Sequence, residues 1–181
     1  MDVRRVVTGH NETGKSVFAS DEKVKPVTVQ LLPGAEFHRL WGADEAPSFP
    51  DGGSQPAHAT YFPPIGGFRF GLFMIPPATT VPAADLDLAI AMAEMEEKMP
   101  GLAGHMEPES PGMHTTATID FEYVISGSIV LELDDGAEVT LNAGDTVVQN
   151  GTRHAWRNRG TEPCRLVVAI CGAHHATEHS S

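Results

Sequence analysis

From Thr116 to Tyr123 the chain alternates strictly between polar and apolar side chains, within the longer stretch 112–127. Period-two alternation is a strand signature, because successive side chains point to opposite faces of a sheet. One face carries His114, Thr116, Thr118, Asp120, Glu122 and Val124; the other carries Thr115, Ala117, Ile119, Phe121, Tyr123 and Ile125. The second face grows apolar along its length and belongs in a core or a subunit interface. The first gathers an imidazole and two carboxyls. A polar strand face ordinarily meets bulk water. Here a second stretch, residues 144–158, argues for enclosure, since His154, Trp156 and Asn158 alternate in the same way and Trp shares a face with His.

The rest of the chain reads as short strands and turns, in keeping with its 18 glycines and 14 prolines. Arg4 to Thr8, Ser16 to Ala19, Val27 to Leu32 and Glu36 to Trp41 are predicted strands, separated by turn formers such as Pro33-Gly34. Residues 42–60 form a long loop, and Phe68 to Ile75 is a strand closed by Pro76-Pro77. One helix is expected over Leu86 to Lys98, capped by Asp85 and stopped by Pro100-Gly101. Leu88, Met92, Met95 and Met99 make a stripe along it that packs on a barrel wall. Asp134-Asp135-Gly136 is a hairpin turn. The tail, residues 173–181, holds three histidines and little apolar content, and is expected to be frayed. A length of 181 residues suits a single domain with a real core: strands and loop over 1–60, a barrel with its helix over 61–172, then the tail.

Together the two stretches resemble the paired motifs of the cupin superfamily. That resemblance implies an all-β fold, a double-stranded β-helix or jelly-roll barrel with one peripheral helix, and metal ligands inside the barrel. The family's first motif has a leading Gly, a His-x-His pair, a Glu and a closing Gly. Here Gly112, His114, Asp120 and Gly127 fall at the Gly, first His, Glu and closing Gly positions, while Thr116 stands in place of the second His. The second motif is carried by Gly144, Gly151, His154 and Asn158, with Asn150 where a proline is usual and the turn one residue short. By resemblance, His114, Asp120 and His154 are the expected ligands of a divalent metal: Fe, Mn, Ni or Zn. Neutral imidazole and carboxylate suit all four. Thr is a poor ligand for them, so at most three of the four usual ligands remain. Asp is shorter than Glu by one methylene, about 1.5 Å. Glu122 has the right phase to make up that reach, as a ligand or as the catalytic acid or base. His105, in the loop before the first motif, is a further candidate imidazole, although a loop His is more often exposed.

Thr116, Trp156 and Arg69 are expected to line the substrate pocket. Arg69, alternating with Phe68 and Phe70, has the fork to hold a substrate carboxylate, or else is an exposed strand arginine. Arg153 and Arg157 flank His154 with opposite parity and point away from the lumen. The balance of 12 basic against 24 acidic residues gives no long-range pull toward nucleic acid or an anionic membrane. No leader-like apolar run follows the first residues, and no apolar stretch reaches the roughly 20 residues needed to span a bilayer. Cys164 and Cys171 lie seven strand steps apart, roughly 23 Å, too far for a bridge. A cytoplasmic protein follows by default. The expected function is a metal-dependent enzyme acting on a small organic molecule, as oxygenase, isomerase, lyase or decarboxylase. Two alternatives stand beside it: a metal-free small-molecule binder, and a metal-free enzyme using His and carboxylate as acid and base. The apolar strand face points to a homodimer, as is common among proteins of this resemblance.

Overall fold

The computed structural model describes residues 2–176, so the end of the predicted frayed tail lies outside the described residues. In chain order the strands are β1 (Val3–His10), β2 (Ser16–Val24), β3 (Glu36–Ala43) and β4 (Phe68–Ile75). An α-helix, α1 (Leu88–Lys98), follows. Then come β5 (Thr118–Ser126), β6 (Ser128–Glu132), β7 (Glu138–Asn142), β8 (Thr146–Gln149), β9 (Ala155–Arg157) and β10 (Cys164–Gly172). They form a jelly roll. A five-stranded sheet runs β3-β4-β10-β5-β8, a three-stranded sheet runs β7-β6-β9, and β1 and β2 pair as a separate hairpin. Every named pair is antiparallel.

The core lies between the two larger sheets. Val124, Leu166, Val168 and Ile170 face inward from the five-stranded sheet, and Ile129, Leu131 and Leu141 from the three-stranded one. Each such side chain contributes about 1.5–3 kcal/mol on burial. Gly127 and Gly151, one from each motif, are required by backbone geometry. Gly127 has φ +78, and a Cβ there would lie 2.7 Å from the Pro163 carbonyl oxygen. Gly151 has φ +61, with the Thr116 carbonyl oxygen 3.1 Å from a Cβ. Neither position accepts a side chain without displacing backbone.

Several local expectations are corrected. Val27 to Leu32 is not a strand: Val27 makes one isolated bridge to Phe37, after which the chain turns. Its apolar residues pack on α1 instead, with Val29 joining Met95, Met99 and Leu102 in a second cluster. The helix begins two residues later than predicted, because Asp87, not Asp85, accepts from the Ala89 and Ile90 amides. Its stripe divides along the axis. Met95 and Met99 are buried, whereas Leu88 and Met92 are 63% and 42% exposed.

The inner and outer faces of β5 are the reverse of what polarity alone suggests. Thr116, Thr118, Asp120 and Glu122 are buried, while Phe121, Tyr123 and Ile125 are 48%, 44% and 42% exposed. Val148 and Phe70 lie exposed on the same side of the sheet. In the single chain this apolar face is therefore not core. Cys164 and Cys171 are both free, on β10. Among the described residues no helix is long and apolar enough to cross a membrane.

Candidate functional site in the barrel lumen

Strand pairing fixes where the carboxylates point. β5 is an interior strand, with Asp120 opposite Ile170 and Gln149, and Glu122 opposite Val168 and Val147. Its two flanks are taken up by ladder hydrogen bonds, so the side chains of the inner face can only project into the lumen. Asp120 and Glu122, two residues apart, therefore stand side by side. They open into a cavity of about 340 Å³ with His114, His154 and Trp156, against apolar walls such as Phe62, Phe73 and Leu166.

The imidazoles are placed by a different device. His114 precedes β5, and it pairs with His154 across an isolated antiparallel bridge with two backbone hydrogen bonds of 3.0 Å. This holds the two rings 4.1 Å apart, centre to centre, with Trp156 edge-on to His154 at 6.0 Å. Nδ1 of His114 lies 3.1 Å from the Gly112 carbonyl oxygen, and Nδ1 of His154 lies 2.9 Å from that of Thr152. A carbonyl only accepts, so each Nδ1 carries the hydrogen and each Nε2 keeps its lone pair.

Burial dominates the electrostatics. It pushes the Asp120 carboxyl up to about 6, opposed by a hydrogen bond with Thr118. It pushes Glu122 up to about 8, reinforced by the neighbouring Asp120 charge. Burial, then the adjacent His114, takes His154 down to about 4, and His114 also falls through burial. Near neutral pH the lumen thus holds one ionised carboxylate, one protonated carboxyl and two neutral imidazoles. Oδ1 of Asp120 and Oε2 of Glu122 are buried without a hydrogen-bond partner. Leaving such atoms unmet costs about 1–3 kcal/mol each, which marks a place where a ligand or water belongs.

Among the described residues no three His, Cys, Asp or Glu side chains come together as a metal-holding group. The two imidazoles meet, but neither carboxylate joins them, so the three-ligand set His114, Asp120 and His154 is not assembled as placed. His105 is exposed, its Nδ1 facing the Thr115 carbonyl oxygen at 3.1 Å and its ring against Phe62, and it does not line the cavity.

Two of the three predicted pocket residues are elsewhere. Thr116 is buried, but its hydroxyl is engaged with that of Thr118 at 2.8 Å and it does not line the cavity. Arg69 is not free to bind a carboxylate. It donates to Asp44 at 2.6 Å and to the carbonyls of Tyr61, Ala43, Phe68 and Thr60. Trp156 is in place. Arg153 is bound to Glu107 and Asp134, and Arg157 to Glu132, although Arg157 also reaches the cavity lining. Sequence reasoning missed Tyr61. Its buried phenol is pushed well up, chiefly by burial, and it feels both lumen carboxylates. It lies in a loop without alternation, where no pattern announces a lumen residue. A larger, open groove of about 880 Å³ lies outside the barrel between β1, β3 and the loop carrying Phe49.

The family model described as cupin domain matches residues 104–170, the span holding both motifs. The chain is 28% identical over 156 residues to the phomopsin biosynthesis cluster protein C' of Diaporthe leptostromiformis, covering 86% of this chain and 70% of that protein. It is 24% identical over 175 residues to the cupin-domain-containing oxidoreductase srdB of Neurospora crassa, covering 93% and 73% of the two chains. Among solved structures, the cupin domain of Schizosaccharomyces pombe Cnp3 aligns with a TM-score of 0.46 at 12% identity, over 95% of this chain and 89% of that one. Over residues 104–170, the chain is thus similar to cupin domains.

Proposed function

We propose that this protein is an enzyme that moves protons on a small, largely apolar organic molecule held in the barrel lumen. The observation that carries the reading is the pair Asp120 and Glu122, buried side by side, each with a partnerless oxygen, and pushed to different extents above the usual carboxylate range. Two carboxyls separated in this way act as a base and an acid at one pH. Asp120, ionised near neutrality, takes a proton from an acidic carbon or hydroxyl. Glu122, still protonated, delivers one to the neighbouring atom. The neutral imidazoles of His114 and His154 offer Nε2 lone pairs as acceptors along the same wall. The apolar lining keeps bulk water from competing for the transferred proton. Isomerisation and elimination are the reaction types that need no more than this. The names of the relatives support an enzyme rather than a passive barrel, several being called cupin-domain-containing oxidoreductases.

One observation favours a second reading with a divalent metal. Both Nδ1 atoms are engaged with carbonyls, which turns both Nε2 lone pairs outward as metal-binding imidazoles require. His114 and His154 would hold the ion, which would supply Lewis-acid polarisation of a substrate oxygen.

The test is a thermal-shift screen of phenols, ketones and small carboxylic acids on tag-free, chelator-treated protein, followed by mass spectrometry of each hit in D₂O. Deuterium entering the hit or its isomer, in the chelated protein, supports the proton-transfer reading. Conversion that stops on chelation and returns with Fe, Mn, Ni or Zn supports the metal reading instead. Binding without conversion under either condition sinks both and leaves a binding protein.

The homodimer is also carried forward as a proposal, on the exposed face of Phe70, Phe121, Tyr123, Ile125 and Val148. Single chains rarely expose so continuous an apolar surface. Light scattering on the eluting protein should give twice the chain mass of 19.3 kDa, and Phe121→Glu should return it to the monomer.

A further inference from the structure

A second cavity of about 280 Å³ lies at the β3 edge of the barrel. It is separate from the acid–base pair and touches the lumen only through Tyr61, Phe73 and Ile170, which line both. Its polar lining is one-sided. Arg5, Arg39, Arg69, His58 and Gln55 face it, and no carboxylate does. Arg5 is paired with Glu22 and Arg69 with Asp44, so each of those charges is already met. Arg39 has no acidic partner among the described residues. Its guanidinium reaches only the Lys98 carbonyl oxygen, at 3.5 Å, and the His58 ring. One cation in this cavity is therefore uncompensated, in a chain whose net charge is −12.

The hydrogen-bond inventory points the same way. A guanidinium has no lone pair to offer, so His58 accepts from Arg39 through Nε2 and carries its hydrogen on Nδ1. That Nδ1 hydrogen is met by the Pro56 carbonyl. Nε of Arg5 is buried and unmet. One orphan N–H donor and one guanidinium without an acidic partner, around a single cavity, call for an acceptor carrying negative charge. The remaining walls are Trp41, Tyr61, Phe70 and Phe73, which suit a flat apolar body and offer nothing to a strongly hydrated anion. At about 30 Å³ per water the space holds roughly nine water volumes, enough for a single-ring acid.

We infer that this cavity is a binding site for a small aromatic or similarly apolar monocarboxylate. Its carboxylate takes the Arg39 fork, and its ring lies against the aromatic lining. Arg39 takes the part that the strand pattern offered to Arg69, which is instead spent on Asp44 and four carbonyls. The inference does not depend on the chemistry proposed for Asp120 and Glu122, because it is read by binding alone.

The probes are benzoate, its neutral counterpart benzamide, and inorganic phosphate. The full chain carries Trp156→Phe so that Trp41 is the sole tryptophan reporter, and calorimetry runs in parallel. Benzoate is expected to bind at least about tenfold more tightly than benzamide, and to quench Trp41. Arg39→Met should lose about tenfold or more of the benzoate affinity and leave benzamide unchanged, and Arg39→Lys should recover only part, since an ammonium lacks the planar fork. Melting curves confirm that both variants are folded. Equal affinity for benzoate and benzamide overturns the inference, as does benzoate binding that is indifferent to Arg39→Met. Phosphate competing as strongly as benzoate replaces it with a generic anion site. No binding of any probe overturns it as well.

Discussion

Glu122→Gln is expected to lower the turnover of any lumen reaction by about 10²–10⁴-fold while making the protein more stable in mild alkali. The two effects have one cause. Burial holds the Glu122 carboxyl at about 8 in the fold, against an ordinary 4.5. A carboxyl raised in this way favours the fold fully below its unfolded value, and that advantage is lost as pH rises through its folded value. Between about pH 4.5 and 8 the protein gives up stability to keep Glu122 in place, and above 8 the whole penalty stands. Glutamine keeps the shape and the hydrogen-bond donor but never ionises. At pH 9 the variant should gain on the order of 3–5 kcal/mol, or roughly 10 °C in melting temperature for a chain of this length. At pH 5 the two proteins should melt within a degree or two of each other. Asp120, at about 6, adds a smaller penalty of the same sign over a lower range. His154, depressed to about 4, works in the other direction, with stability present above about 6.5 and lost as pH falls through 4. For activity, the wild-type pH profile should be a bell with limbs near 6 and 8, and Glu122→Gln should remove the upper limb from its residual rate. An unchanged melting temperature at pH 9 would show that the carboxyl is solvated, and would remove the physical basis for its role as acid.

Arg69→Met should unfold the protein far more readily without touching the chemistry directly. The guanidinium makes five hydrogen bonds, to Asp44 and to four main-chain carbonyls, and fastens the loop of residues 44–61 against β4. Methionine fills the space but donates nothing, leaving those carbonyls and a partly buried carboxylate unmet. Breaking one side of such a pair costs about 3–5 kcal/mol, which is roughly 6–15 °C in a chain of this length. Urea denaturation of Arg69→Met, Asp44→Asn and the double variant checks it. The coupling between the two sites should come to about 1–3 kcal/mol, and the double variant should be less damaged than the sum of the singles. A substrate-binding arginine would show the opposite pattern, a raised KM with stability intact.

The inner face of β5 was legible because alternation is local: once the strand forms, Thr118, Asp120, Glu122 and Val124 must share a side. The two motif glycines were legible for a related reason, since positive φ and close backbone approach leave few other residues to choose from. The same locality explains what was misread. Arg69 has the parity of a lumen residue, but its partner Asp44 and the carbonyls it holds come from a loop that carries no periodicity. Val27 to Leu32 has the composition of a strand, yet it was claimed by the helix packed across it. The paired imidazoles depended on a bridge between residues 114 and 154, forty positions apart, which alternation within either segment does not encode.

By itself the sequence determined the β-barrel, the strand carrying Asp120 and Glu122, and the direction in which those side chains point, because hydrophobic period and turn chemistry act over a few residues. Only the tertiary structure decided what surrounds them. It buried the polar face and exposed the apolar one, occupied Arg69, and left Arg39 without an acidic partner among the described residues. Burial and pairing are sums over distant contacts, and those sums, more than residue type, set the charge state of a group and whether it is free to meet a ligand.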